Sequence, residues 1–129
     1  MTRKKLESYH GWLKRSEDTY RKWEDLNNRK LRLGSEPDSM PKSLNKRAFD
    51  EVIAKIDEVA EEYWNEYLEA LNALEEIRQF ISSLADPMHR NIFELKYIGG
   101  DYSIVVGGKV GYSRVHIERI ITEVLNGAA

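Results

Sequence analysis

The stretch Val106-Gly107-Gly108-Lys109-Val110-Gly111-Tyr112-Ser113-Arg114-Val115-His116-Ile117 decides how this chain is read. With Gly111 as the glycine of a tight turn, Gly107 falls four residues earlier, where two short helices cross too closely for a larger side chain. Val106 and Val110 before the turn, Tyr112 within it, and Ile117 and Ile120 after it supply the apolar positions of a small core. These constraints agree on a helix-turn-helix, a motif that lays its second helix in the DNA major groove.

Working outward, Asp86-Pro87 reads as the cap and first turn of a support helix over Met88 to Ile98, burying Ile92, Phe93, Leu95 and Ile98. Gly99-Gly100 stops it. Asp101 or Ser103 then caps the first motif helix, and Ser113 caps a recognition helix running from Arg114 to about Asn126. Ile117, Ile120, Ile121, Val124 and Leu125 are expected to face inward on that helix, which leaves Arg114, Val115, Glu118 and Arg119 facing outward. The candidate DNA-binding residues are therefore Ser113, Arg114, Val115, His116, Glu118, Arg119 and Lys109.

Each candidate has a chemical reason. Arg114 sits at the helix N-terminus, where side chains reach base edges or phosphates and the helix end itself favours an anion. Arg119 lies a turn and a half further on, within reach of a second base or the flanking backbone. His116 either adds a neutral hydrogen bond or lies against the support helix. Glu118 repels phosphate unless it accepts from a cytosine amino group. Lys109, Arg90 and Lys96 are candidate phosphate contacts. The run Ile104-Val105-Val106 has a second reading, because exposed β-branched residues on a motif helix suit a protein contact.

Upstream, apolar residues keep an unbroken 4-3 spacing at Phe49, Ile53, Ile56, Ala60, Tyr63, Tyr67, Ala70, Leu74, Ile77, Ile81 and Leu84. This seam is the pattern of a coiled coil, and Val52, Val59, Leu68 and Leu71 widen it enough to meet more than one partner helix. Met40-Pro41 with Ser43 or Asn45 as cap marks its start, and Ser82 to Pro87 its end. A shorter amphipathic helix is expected over Arg3 to Leu33, with Leu6, Tyr9, Leu13, Tyr20, Trp23 and Leu31 near one face, interrupted at Ser16 and Asn27. Between them, Gly34 to Lys42 reads as a loop, short enough for an antiparallel hairpin. The helical spacing of Trp12, Tyr20, Trp23, Tyr63, Trp64 and Tyr67 favours packing over base stacking. The expected fold is all-α, a long hairpin over 1–86 followed by a helix-turn-helix over 87–129.

Charge fits that hairpin. Residues 1–32 carry ten Lys/Arg against five Asp/Glu, a net +5, whereas residues 44–86 carry four against eleven, a net −7. Opposite charges on neighbouring helices account for the asymmetry without a ligand. Residues 87–129 carry five against four, so the motif region is only weakly basic for a partner whose phosphates attract Lys and Arg. The absence of cysteine excludes disulfides and thiolate metal sites. No apolar run reaches the ~20 residues of a membrane span, so a cytoplasmic location is expected. No enzyme is expected either: His10, His89 and His116 lie in no metal-ligand spacing, and Gly107-Gly108-Lys109 lacks Walker spacing. Glu61-Glu62 and Glu75-Glu76 fall on the polar side of the seam, and no cofactor or metal site is indicated.

Leu84-x-Asp86-Pro87-x-x-Arg90, Leu95-x-Tyr97-Ile98-x-Gly100 and Val110-Gly111-Tyr112-Ser113-x-x-His116-Ile117-x-Arg119 resemble a phage and prophage family, the late-gene transcription regulators of the ArpU/RinA type. Its members end in a helix-turn-helix like region 4 of sigma factors. The chain departs from the family at Tyr102-Ser103, where Ser or Thr precedes an aromatic, and at Val106-Gly107, where an Ile-Ala pair is usual. The resemblance implies activation of late, packaging or lysis genes in the host cytoplasm. It also implies double-stranded DNA as partner, with Arg114 and Arg119 as contacts. In this reading the hairpin forms a homo-oligomer, with a dimer favoured, or docks on RNA polymerase. A small terminase subunit, built from the same parts as a ring for DNA packaging, and a helix-turn-helix turned protein-interaction module are the alternatives.

Overall fold

A computed structural model of the protein describes residues 1–35 and 46–127. Among them it holds six α-helices and no strand, so the chain is all-α, with α2 and α3 forming a long hairpin-like pair. The helices are α1 (Arg3–Glu7), α2 (Tyr9–Ser35), α3 (Lys46–Ser82), α4 (Pro87–Phe93), α5 (Ser103–Val110) and α6 (Arg114–Leu125), with a π-helical turn at Glu94–Ile98 after α4. Met40-Pro41, the Ser43 or Asn45 cap and most of the expected loop lie outside the described residues. Gly34, expected to open that loop, is still in α2.

Contacts divide the chain elsewhere than at residue 86. The first unit joins Met1–Leu13 to the residues from Asn72 onward, and the second is Lys14–Leu71, so α2 and α3 each contribute to both. In the first unit Thr2 caps α1 by accepting from Lys5 N at 3.2 Å. Ser8 leaves ideal helical geometry at ψ −6, and Trp12 N donates to its carbonyl at 3.0 Å, so one irregular residue breaks the expected continuous helix. Leu6 and Tyr9 are thereby buried in a core with Leu74, Ile77 and Ile81 of α3, Ile92 and Phe93 of α4, Tyr97, Val106 of α5, and Ile117, Ile120, Ile121 and Val124 of α6.

The second unit contains, among its described residues, only the two helices. They run antiparallel, since Arg15 pairs with Glu69 at 4.0 Å and Lys30 with Asp57 at 2.7 Å. Tyr20 meets Tyr67 and Trp23 meets Trp64, at ring-centroid distances of 5.3 and 4.9 Å. Among its described residues, the only buried apolar side chains are Ile56 and Ala70. The α2 seam runs through buried Ser16 and Thr19 and leaves Tyr20 on the flank. Thr19 keeps its hydroxyl satisfied by donating to the Arg15 carbonyl at 2.7 Å.

A candidate nucleic-acid interface on the last helix

The support segment begins as its residues dictate. Asp86 accepts from Met88 N at 2.8 Å, and Pro87 occupies the first helical position, where a missing N–H costs nothing. The helix then widens by one residue, Gly99 N donating to Glu94 O at 2.8 Å. Gly100, at φ +80, ends it. The widening buries Tyr97, whereas Leu95 and Ile98, expected in the core, are half-buried. Burial pushes the Tyr97 hydroxyl up to about 12, against the pull of the nearby Arg3 guanidinium, and no described residue gives the hydroxyl a well-aligned hydrogen bond.

The turn between α5 and α6 rests on its two glycines. A Cβ on Gly107 would collide with the Tyr112 carbonyl oxygen, and Gly111 takes the left-handed region at φ +84. Both Gly111 N and Tyr112 N donate to Gly107 O, at 2.8 and 2.9 Å. Ser113 caps α6 by accepting from His116 N at 3.1 Å. The cap of α5 departs from expectation. Tyr102 occupies that position and contributes no side-chain bond. Asp101 is engaged by Lys109 at 2.7 Å, and Ser103 is buried in the first turn. Tyr112 turns its ring outward against His116, edge to face at 4.5 Å, instead of filling the core.

Arg114, Val115 and Arg119 are exposed on α6 as expected. Among the described residues, neither arginine has a hydrogen-bond or ion-pair partner, which leaves two guanidinium forks open to solvent on the first half of the helix. Glu118 sits at the edge of this face, its side chain 35% exposed and its carboxyl held in a polar network. Ser103 donates to it through its hydroxyl, Lys96 donates to Ser103 at 2.9 Å, and Arg3 of α1 donates to Glu118 at 2.9 Å and to Thr122 at 2.8 Å. The Ser103 hydrogen bond, then Arg3 and Lys96, hold the Glu118 carboxyl below its ordinary range despite partial burial. Lys96 is committed to this network, Lys109 to Asp101, and Arg90 to the Leu84 carbonyl at 2.6 Å. Arg3 is the residue that sequence reasoning missed here: it lies 115 positions from Glu118, and only a general excess of basic residues marked its neighbourhood.

The remaining candidates stay apart from one another. Glu76 is paired with Lys5, and Glu75 accepts from Gln79 at 3.2 Å. No group of three or more metal-ligating side chains gathers among the described residues. No helix among them is long and apolar enough to cross a membrane. Comparison with protein families, curated proteins and solved structures returns no match for this chain.

Proposed function

We propose that the protein binds duplex DNA by inserting α6 into the major groove, as a phage-type transcription regulator of late, packaging or lysis genes. One observation carries the proposal. Arg114 and Arg119 project, without partners among the described residues, from the exposed face of a capped helix, behind a turn whose Gly107 permits the close helix crossing. Arg114 and Arg119 read guanine edges or phosphates, and Val115 packs on a thymine methyl or a sugar. Ser113 and His116 shape the helix start. Glu118, neutralised by Arg3 and Lys96, no longer opposes phosphate. The late-gene role rests on the resemblance alone. Cytoplasmic action and contact with RNA polymerase belong to the same reading.

Arg114→Ala with Arg119→Ala is expected to weaken DNA binding at least tenfold and to lower the salt slope by about one per phosphate contact removed. Fluorescence anisotropy on duplex DNA at several salt concentrations reads both. Unchanged binding in a folded double variant would move the DNA face off α6.

A second reading has its own observation. Tyr102 and Ile104 are 81% and 67% exposed and Val105 lies beside them, an apolar patch at the start of α5 that suits a protein contact. A protein-interaction module would keep this patch essential while tolerating loss of both arginines.

A further inference from the structure

The helix that carries the two open arginines is not basic in itself. α6 holds Arg114 and Arg119 against Glu118 and Glu123, two positive charges against two negative, so its formal charge is zero. Glu123 lies in the second half of the helix, beyond the N-terminal residues of a recognition helix that meet base edges. Glu118 lies in the first half, directly before Arg119, where its charge opposes an approaching phosphate. What cancels that charge decides how well this surface suits DNA.

The cancelling residue comes from the other end of the chain. Arg3 Nη1 donates to Glu118 Oε2 at 2.9 Å, and its Nη2 donates to the Thr122 hydroxyl at 2.8 Å and to the Glu118 main-chain carbonyl at 3.3 Å. One guanidinium thus grips the carboxylate together with a turn of α6. The second carboxylate oxygen accepts from the Ser103 hydroxyl of α5. Lys96 reaches that oxygen only at 3.9 Å and is itself bonded to Ser103, so it does not stand in for Arg3. α1 keeps its place without this grip, because Leu6 is fully enclosed in the core and Lys5 pairs with Glu76 of α3.

We infer that Arg3 is a positioning residue of the DNA surface: it ties the Glu118 carboxylate to α1 and cancels its charge, so that residues 1–5 complete a surface that α6 alone leaves electrically neutral. The inference rests on the reading of α6 as the DNA-binding helix. It extends the interface beyond the helix-turn-helix, to a residue at the opposite end of the sequence.

Fluorescence anisotropy on duplex DNA with the full chain compares the wild type, Arg114→Ala, Arg3→Ala, and Arg3→Ala combined with Glu118→Gln, each checked by helical circular dichroism. Arg3→Ala is expected to weaken binding roughly tenfold, the scale of one charge altered beside the phosphates at about 0.1 M salt. Adding Glu118→Gln is expected to recover most of that loss. Arg3→Gln, which keeps a donor for Thr122 but no charge, should show the same loss as Arg3→Ala, so the outcome does not hinge on one variant. A residue that merely tied α1 to α6 would behave in the opposite way, because Glu118→Gln also weakens the Ser103 and Lys96 contacts and would deepen the defect. Wild-type affinity in Arg3→Ala, or a double variant no better than the single one, would overturn the inference, while weakened binding by Arg114→Ala would keep α6 as the DNA face. Wild-type affinity in Arg114→Ala, or no binding by the wild type, would strike the reading of α6 and this inference with it.

Discussion

Along α3, Leu74, Ile77 and Ile81 continue the seam that Ile53, Tyr63 and Tyr67 begin, yet the first three are buried and the others are half-exposed. Nothing in the pattern separates them; the number of covering elements does. The C-terminal part of α3 shares a core with residues of α1, α2, α4, α5 and α6, whereas the N-terminal part has α2 beside it within its unit. A heptad seam thus specifies which residues seek burial. Topology decides how many obtain it.

The sharpest way to break this contrast is a pair of truncations on one helix. Ile77→Ala is expected to destabilise by about 2–5 kcal/mol, because the side chain is fully enclosed and its removal leaves a cavity. Ile53→Ala is expected to cost about 1 kcal/mol, because that side chain is already partly exposed to water. Urea unfolding of both variants measures the gap. Equal losses would erase the distinction between the two regions.

Gly107→Ala comes next, at about 1–3 kcal/mol, since the added methyl must push the Tyr112 carbonyl aside. Gly108→Ala, where a Cβ meets open space, is expected to be neutral or stabilising. Thermal melts of the two variants read that opposition, and similar melting points would refute the close helix crossing.

Smaller effects lie in the polar network that ties α1 to α6. The Glu118 carboxyl titrates below its unfolded value, so its contribution is complete above the ordinary carboxylate range and is lost as the pH falls through the depressed folded value. Glu118→Gln should flatten that acid limb and lower neutral-pH stability by about 0.5–1 kcal/mol, the modest scale of a partly exposed pair. Arg3→Ala should reproduce most of the loss, which urea midpoints between neutral and acid pH would record.

Tyr97 gives the smallest change. Its pKa is raised to about 12, so its neutral form stabilises the fold fully below the ordinary tyrosine value, and that contribution is lost as pH rises from there through about 12. Tyr97→Phe should weaken the alkaline limb and leave neutral stability unchanged or slightly higher, because no described residue gives the buried hydroxyl a well-aligned hydrogen bond.

Local signals explain what was legible in the chain. Asp86-Pro87, Gly111 and Ser113 act within a few residues of themselves, and each does what its chemistry requires. The period of α3 was equally readable, because ten of the eleven seam positions, Phe49 to Ile81, fall within it and only Leu84 lies beyond its end. Sequence periodicity could not reveal that residues 1–13 belong with the C-terminal unit. Leu6 and Tyr9 look like the start of a coiled-coil stripe, and their burial among α4 and α6 residues is long-range. The partners of Glu118 were hidden for the same reason. On a helical wheel it sits on the rim of the inward face, and Ser103, Lys96 and Arg3 reach it only through tertiary folding. Ser103 resembled a cap because serine commonly is one, but it lies one residue inside the helix, and its hydroxyl donates to Glu118.

The central claim, that α6 reads DNA, is tested most directly by selecting bound sequences from a randomised duplex library with the purified wild-type protein and the Arg114→Ala, Arg119→Ala variant in parallel. An enriched sequence is expected for the wild type and is lost in the folded variant. Absence of enrichment by the wild type at low salt, or the same enriched sequence from both proteins, would contradict it.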